Sequence, residues 1–370
     1  YDNLAPWMPW SGDGHVRDFI MVRFGEPGWW PGFVPWLFDP WPIFNFADSF
    51  IFAGFLMLLT GAANLSLNSP LLTASGTFGH DPAALAFLDS ADLGALVLKT
   101  VTPEPRHGNA PPRMAEFPGG VLNSIGLENK GLAYWRANVA PQLERVPVPV
   151  VANAGGHSAE DYRLMTEAFD AMRGVAAIEL NLSCPNVSGG MVFSTDPVAL
   201  DEVVRACRTA TRKPLWVKLS PNVTRIQPLA EAAERAGADA LTVSNTLVGM
   251  LVDWRKRRPV LGGRTGGMSG PAVKPVAMRL VWECAQAVKI PIIASGGATS
   301  AEDVLEFVVA GATAVQLGTV LFRRPDAISA VATEMRRLLA EEGVTLQELR
   351  ASLSVPGTVS CGFSVTRNPR

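Results

Sequence analysis

From Ser69 onward the chain repeats one unit: a short run of Leu, Val, Ile and Ala, a polar turn, then apolar residues recurring every three or four positions. Short apolar runs bounded by turn residues suit strands buried on both faces, and the 3.6-residue period suits amphipathic helices. The pattern predicts eight strands, at Leu71–Thr73, Ala95–Lys99, Val148–Asn153, Ala177–Leu182, Leu215–Leu219, Ala240–Val243, Ile292–Ser295 and Ala314–Leu317. Helices are expected over Pro197–Thr211, Gln227–Ala236 and Ala301–Val309, the last opened by Ser300 and Asp303 at capping-box spacing. The glycines of AGAD (236–239) and AGAT (310–313) stop two of these helices before the next strand. Eight such units predict an α/β fold, a (β/α)8 TIM barrel.

Before residue 65 the pattern changes. Tyr1 to Asn64 contains no lysine, while the first 41 residues hold six of the ten tryptophans. Trp29–Trp41 (WWPGFVPWLFDPW) carries too much proline for a regular helix, and its aromatic rings suit a membrane interface. Ser49–Ala63 is an uncharged apolar run. As a helix it would rise roughly 22 Å, short of the ~20 residues that cross a bilayer. It reads either as a buried or interfacial helix or as the stump of a transmembrane segment. The expected organisation is a membrane-protein-like segment over 1–64, a barrel over 65–352 and an unpatterned tail over 353–370. Membrane contact is expected through 29–63. Tyr1 stands where a start methionine would, so the chain reads as a piece of something longer.

Hydrophobic residues make up 48% of the 370 positions and charged ones 18%, which excludes a disordered chain. The formal net charge of −2, without a block of like charges, argues against nucleic-acid binding. Cys184, Cys207, Cys284 and Cys361 lie far apart. That spacing argues against a disulfide framework or a metal site and suits a reducing cytoplasm.

A barrel puts reactive residues at the carboxyl ends of its strands. Those ends read Ala74-Ser75-Gly76, Lys99-Thr100, Asn153, Asn181 to Cys184, Lys218, Ser244-Asn245-Thr246, Gly296-Gly297 and Gly318-Thr319. The last two sites offer backbone N–H groups to an anion, which predicts a phosphorylated ligand over the barrel mouth. Lys218 reads either as a surface lysine or as a fixed cation facing that ligand. Beside an isoalloxazine it would stabilise charge developing at N1 and O2 on reduction. Lys99 is a second cation, for a flavin edge or a substrate carboxylate. Asn123, Asn181, Asn186 and Asn245 are ordinary turn residues singly. Together they supply the mixed donors and acceptors that a pyrimidine ring calls for. Cys184 alone among the cysteines falls on a strand-end loop, where a thiolate could act as general base. Cys207 and Cys284 fall within helices and are expected in the core.

From about Asn68 to Arg350 the motifs SPLLTASGTFG, LKTVTPEPRHGN, LNSIGLEN, NLSCPN, VKLSPNVT, SNTLVGM, GGMSGPAVKP, IIASGGATSAEDVLEF and AVQLGT follow in order. They resemble the class 1 dihydroorotate dehydrogenases, specifically the class 1B catalytic subunit. The resemblance implies FMN-dependent oxidation of dihydroorotate to orotate in pyrimidine (UMP) biosynthesis. Cys184 would remove the C5 proton while the C6 hydride passes to flavin N5. It implies substrate contacts from Lys99, Asn123, Ser124, Ile125, Gly126, Leu127, Asn181, Asn245 and Thr246. It implies FMN contacts from Ser75, Lys99, Thr100, Asn153, Asn181, Lys218, Ser244, Gly270, Gly296, Gly297, Gly318 and Thr319. The chain has no four-cysteine cluster motif. Electrons would therefore leave for NAD through a partner subunit bearing FAD and a [2Fe–2S] cluster. A cytoplasmic homo-oligomer is expected, with inner-membrane association through the amino-terminal segment as the variant. The family's first β-hairpin is largely replaced by that segment. The basic loop Asp253–Gly267 (DWRKRRPVLGGRTGG) reads as a mobile flap, a docking surface or a solvated loop. The runner-up is the pyrimidine-reducing domain of dihydropyrimidine dehydrogenase, which shares NLSCP; Asn186 and SIGLEN favour the orotate enzyme.

Residues 1–63 resemble the carboxyl-terminal part of bacterial lipoprotein signal peptidase. HVRDFI and FNFADS would place Asp18 and Asp48 as that family's aspartyl dyad. Paired carboxylates do acid–base work only when a fold holds them a few ångström apart. The earlier transmembrane helices of that family are missing, so the dyad reads as vestigial and peptidase activity as the lesser alternative.

Overall fold

In the computed structural model, which describes residues 65–79, 89–182 and 193–354, the predicted rhythm becomes a closed ring of parallel strands. In chain order the strands are β1 (Leu71–Thr73), β2 (Leu96–Val97), β3 (Met114–Phe117), β4 (Gly120–Asn123), β5 (Val150–Ala154), β6 (Ala177–Asn181) and β7 (Leu215–Lys218). They continue with β8 (Ala240–Val243), β9 (Leu247–Gly249), β10 (Val252–Asp253), β11 (Arg258–Pro259), β12 (Gly266–Ser269), β13 (Ile292–Ser295) and β14 (Ala314–Leu317). Eight of them form one parallel sheet in the order β1-β14-β13-β8-β7-β6-β5-β2. A parallel bridge between Leu72 and Ala95 joins the two ends. The Thr73 hydroxyl reinforces the seam, donating to Val97 O at 3.2 Å and accepting from Val97 N at 2.8 Å. The TIM barrel expectation holds.

All eight predicted strands stand where the apolar runs placed them, with small shifts at their ends. β5 begins at Val150 rather than Val148 because Pro149 has no N–H to give the ladder. β2 shrinks to two residues at the seam. Helix Pro197–Thr209 opens on Asp196, whose side chain accepts from Val198 N, with proline in the first turn where no N–H is needed. Helix Ala301–Val309 carries the expected reciprocal capping box between Ser300 and Asp303. Gly237 (φ +98) and Gly311 (φ +118) end their helices in a backbone region that other residues rarely adopt. The core lies between the strands and this ring of helices. There Leu71, Val150, Ile178, Val217, Leu241 and Val315 are buried, as are Val203, Leu229, Val304 and Phe307.

One layer was not foreseen. β3, β4, β12 and β9 form an antiparallel sheet, in the order β3-β4-β12-β9. The Asp253–Gly267 loop carries strand residues at both ends: Asp253 pairs with Arg258 in a separate two-stranded sheet of β10 and β11, and Gly266 and Gly267 belong to β12. At its tip Trp254 is 72% exposed, with the Arg255 guanidinium 4.5 Å from its ring centre.

The aromatic stretch Trp29–Trp41, the run Ser49–Ala63, Asp18, Asp48, Cys184, Asn186 and Cys361 lie outside the described residues. Among the described residues no helix is long and apolar enough to cross a membrane.

Candidate active site

Parallel register decides which side chains share the barrel interior. Asn153 is paired with Glu179, Asn181 with Lys218, and Lys218 with Thr242. Residues paired across strands, or two apart along one, point to the same face. Asn153, Glu179, Asn181, Lys218 and Thr242 therefore converge on one side of the sheet. All five are buried.

Two hydrogen-bonded layers result. Toward the mouth, Thr246 N donates to Asn245 Oδ1 (2.8 Å), and Asn245 Nδ2 to Asn181 Oδ1 (3.0 Å). Asn181 Nδ2 donates to Thr100 Oγ1 (3.0 Å), and Thr100 in turn to Asn153 Oδ1. Below it, Glu179 accepts from Asn153 Nδ2 (2.6 Å), Thr242 Oγ1 (2.6 Å) and Gln316 Nε2 (2.8 Å). Lys218 Nζ donates to Gln316 Oε1 at 3.0 Å and lies 3.9 Å from Glu179 Oε1. Lys218 is only 4% exposed, which removes the surface-lysine reading. Sequence reasoning missed Glu179, Thr242 and Gln316. A signal existed: a carboxylate inside AIELN, a strand read as buried on both faces, has to find partners.

The extra sheet brings the LNSIGLEN insert to the same mouth. β4 ends at Asn123 opposite Gly267 of β12, and Asn123 Nδ2 donates to Gly267 O (3.1 Å). A Cβ at Gly267 would lie 2.0 Å from Thr246 Oγ1, so only glycine lets β12 rest on Thr246. Asn123 and Thr246 thus meet on either side of one residue. The rest of the insert is anchored by Asn109, whose side chain donates to Ser124 Oγ (2.8 Å) and whose N–H donates to Ile125 O (3.0 Å). Gly126 and Leu127 follow in left-handed backbone, outside the asparagine run. Lys99 is half-buried and fixed through its N–H to Gly79 O. Burial pushes its ammonium below the ordinary lysine value; Glu128 offsets part of this and Arg113 adds to it.

The glycine sites stand at the ends of β13 and β14. The N–H groups of Gly296, Gly297, Gly318 and Thr319 meet no acceptor among the described residues. Gly296 (φ +139) and Gly297 (φ +85) turn the chain toward helix Ala301–Val309. Open N–H donors at a turn into a helix favour an anion. Beside them a cleft is lined by Pro221, Ser244, Asn245, Leu247, Val273, Ser295 and Gly296. Ser75 is buried after β1, Ser244 Oγ donates to Asn245 O (3.0 Å), and Gly270 (φ +102) backs onto Gly120.

Residues 57–339 match the sequence profile of the dihydroorotate dehydrogenase family, and residues 2–63 match that of signal peptidase (SPase) II. The chain is 51% identical over 282 residues to the catalytic subunit of dihydroorotate dehydrogenase B (NAD(+)) from Trichlorobacter lovleyi, covering 76% of this chain and 93% of that protein. The corresponding subunit from Pelobacter propionicus is 50% identical over 283 residues, covering 76% and 93%. Among solved structures, DHODH from Eimeria tenella in complex with ferulenol shares the fold with a TM-score of 0.67. Its sequence identity is 23%, over 78% of this chain and 86% of that one.

Proposed function

This chain belongs to the dihydroorotate dehydrogenase family, and on that premise we propose that its barrel is a cytoplasmic, FMN-dependent oxidoreductase converting dihydroorotate to orotate in pyrimidine biosynthesis. The observation that carries the reading is the continuous hydrogen-bonded run from Thr246 through Asn245, Asn181 and Thr100 to Asn153. It lays amide donors and acceptors in alternation along the barrel mouth, the pattern a ring of alternating C=O and N–H groups requires.

FMN fits the donor set beside that run. The open N–H groups of Gly296, Gly297, Gly318 and Thr319 suit its phosphate, and buried Lys218 supplies a fixed cation. Ser75, Lys99, Thr100, Asn153, Asn181, Ser244 and Gly270 would complete its site. When bound, FMN supplies a two-electron acceptor for the hydride. Asn123, Asn181, Asn245 and Thr246 hold the pyrimidine in plane, Lys99 faces its carboxylate, and Ser124, Ile125, Gly126 and Leu127 cover it. Cys184, three residues after Asn181 in NLSCPN, takes the C5 proton on Sγ. The relatives' names specify a catalytic subunit and NAD(+), which supports a separate electron-transfer partner subunit; the class 1B resemblance makes FAD and a [2Fe–2S] cluster that partner's proposed cargo.

The test is the visible spectrum of the purified chain before and after anaerobic dihydroorotate. A yellow protein bleached by dihydroorotate is expected. A colourless protein unable to take up FMN refutes the reading, and turnover of uracil or thymine in place of dihydroorotate reverses it in favour of a pyrimidine reductase. For residues 2–63 the SPase II match supports a separate, vestigial assignment of Asp18 and Asp48. Cleavage of a lipidated precursor that Asp48→Asn abolishes would make that segment active.

A further inference from the structure

We infer that Glu179 is a positioning residue that sets the donor–acceptor direction of the asparagines at the barrel mouth; the inference rests on the pyrimidine reading above. Glu179 lies within β6 with no exposed surface. It meets donors on both oxygens: Asn153 on Oε1, Thr242 and Gln316 on Oε2. Lys218 Nζ can only donate, so Gln316 Oε1 accepts from it and turns Gln316 Nε2 to Glu179, which serves as the acceptor for its neighbours.

An amide is nearly symmetric in shape, so packing alone does not choose between its two orientations. Its neighbours' hydrogen bonds choose. Facing an acceptor-only group, Asn153 has to present Nδ2 to Glu179 and turn Oδ1 toward Thr100. The Thr100 hydroxyl then donates to Asn153 and is left to accept, so Asn181 presents Nδ2 to it. Asn181 Oδ1 is thereby placed to accept Asn245 Nδ2, and Asn245 Oδ1 to accept Thr246 N. Every link points toward the same carboxylate, whose charge is held by Lys218 directly and through Gln316. Glu179 takes its hydrogen bonds from Asn153, Thr242 and Gln316, and it reaches the Asn181 and Asn245 amides through the Asn153–Thr100 links of the run. A glutamine at 179 can offer either a donor or an acceptor to Asn153, and the run loses its single direction.

The experiment uses the full chain with bound FMN, in parent, Glu179→Gln, Glu179→Asp, Thr100→Val and Glu179→Gln/Thr100→Val forms. Orotate binding is measured by calorimetry, and KM and kcat for dihydroorotate are measured in parallel. With FMN kept saturating, Glu179→Gln is expected to weaken orotate roughly ten- to a hundredfold, the scale of one or two misdirected buried hydrogen bonds. KM should rise in step, kcat should fall less, and Glu179→Asp should recover most of the loss. Thr100→Val cuts the same run, so the double variant should bind no more weakly than the weaker single. Orotate affinity in Glu179→Gln within about twofold of the parent, or losses that multiply in the double variant, would overturn the inference. Should Glu179→Gln fail to accumulate, parent-like affinity in Thr100→Val overturns it equally. A parent that binds no orotate instead refutes the functional reading itself, and this inference falls with it.

Discussion

Replacing Lys218 with methionine probes the buried charge balance beneath the site. Lys218 and Glu179 are both buried, and their closest charged atoms are 3.9 Å apart. At an effective dielectric of about 20, unit charges at that distance attract by about 4 kcal/mol. Methionine preserves the length of the side chain but strands the carboxylate without its cation. Breaking a buried pair in this way costs about 3–5 kcal/mol. The remaining donors, Asn153, Thr242 and Gln316, keep the carboxylate hydrogen-bonded, so the lower half of that range is expected. Urea unfolding of FMN-stripped protein reads the loss without any contribution from ligand linkage. With a slope near 3 kcal/mol per molar, the midpoint should fall by about 1 M. Lys218→Met/Glu179→Gln removes both charges, and should be at least about 2 kcal/mol more stable than the sum of the single losses. Strict additivity in that cycle would refute the argument, because it would mean the two charges do not feel each other.

Three further outcomes are expected. Cys184→Ala should retain the yellow FMN spectrum and lose dihydroorotate oxidation by ~10²–10⁴-fold, with near-normal turnover rejecting its role as base. In Gly297→Ala the new Cβ would sit 2.7 Å from Lys274 N at φ +85. Left-handed strain and overpacking together cost about 2–5 kcal/mol, so a melting temperature within a degree of the parent's would contradict this. Burial pushes the Cys207 thiol up to about 11 and the Cys284 thiol up to about 12. Above about pH 9 the unfolded chain releases these protons and the folded one keeps them, so stability should be complete below about pH 9 and decline as pH rises through about 11. Alkylation of both thiols in the native protein at pH 8 would contradict that burial.

The strand ends were legible because they are local. Each apolar run, its bounding turn residue and the helix that follows are neighbours in sequence, and Ser300 with Asp303 or Gly311 act within a few residues of themselves. That was enough to predict the barrel and to mark Asn153, Asn181, Lys218, Asn245 and the glycine sites as residues of one mouth. The β3-β4-β12-β9 sheet was not legible, because Gly120–Asn123 and Gly266–Ser269 are four residues each, open on glycine and lack alternation. Their pairing is set by the barrel, which presents the loops after β2 and β8 to each other.

The sequence by itself determined which residues stand at the tips of eight parallel strands, since period and turn chemistry are properties of contiguous segments. Tertiary structure alone decided what those residues do to one another. Gln316 reaches Glu179 across 137 positions, and Asn123 reaches Gly267 across 144. Such contacts exist only once the ring has closed. A buried polar group must then take whichever partner the closed ring offers, because no water remains to satisfy it.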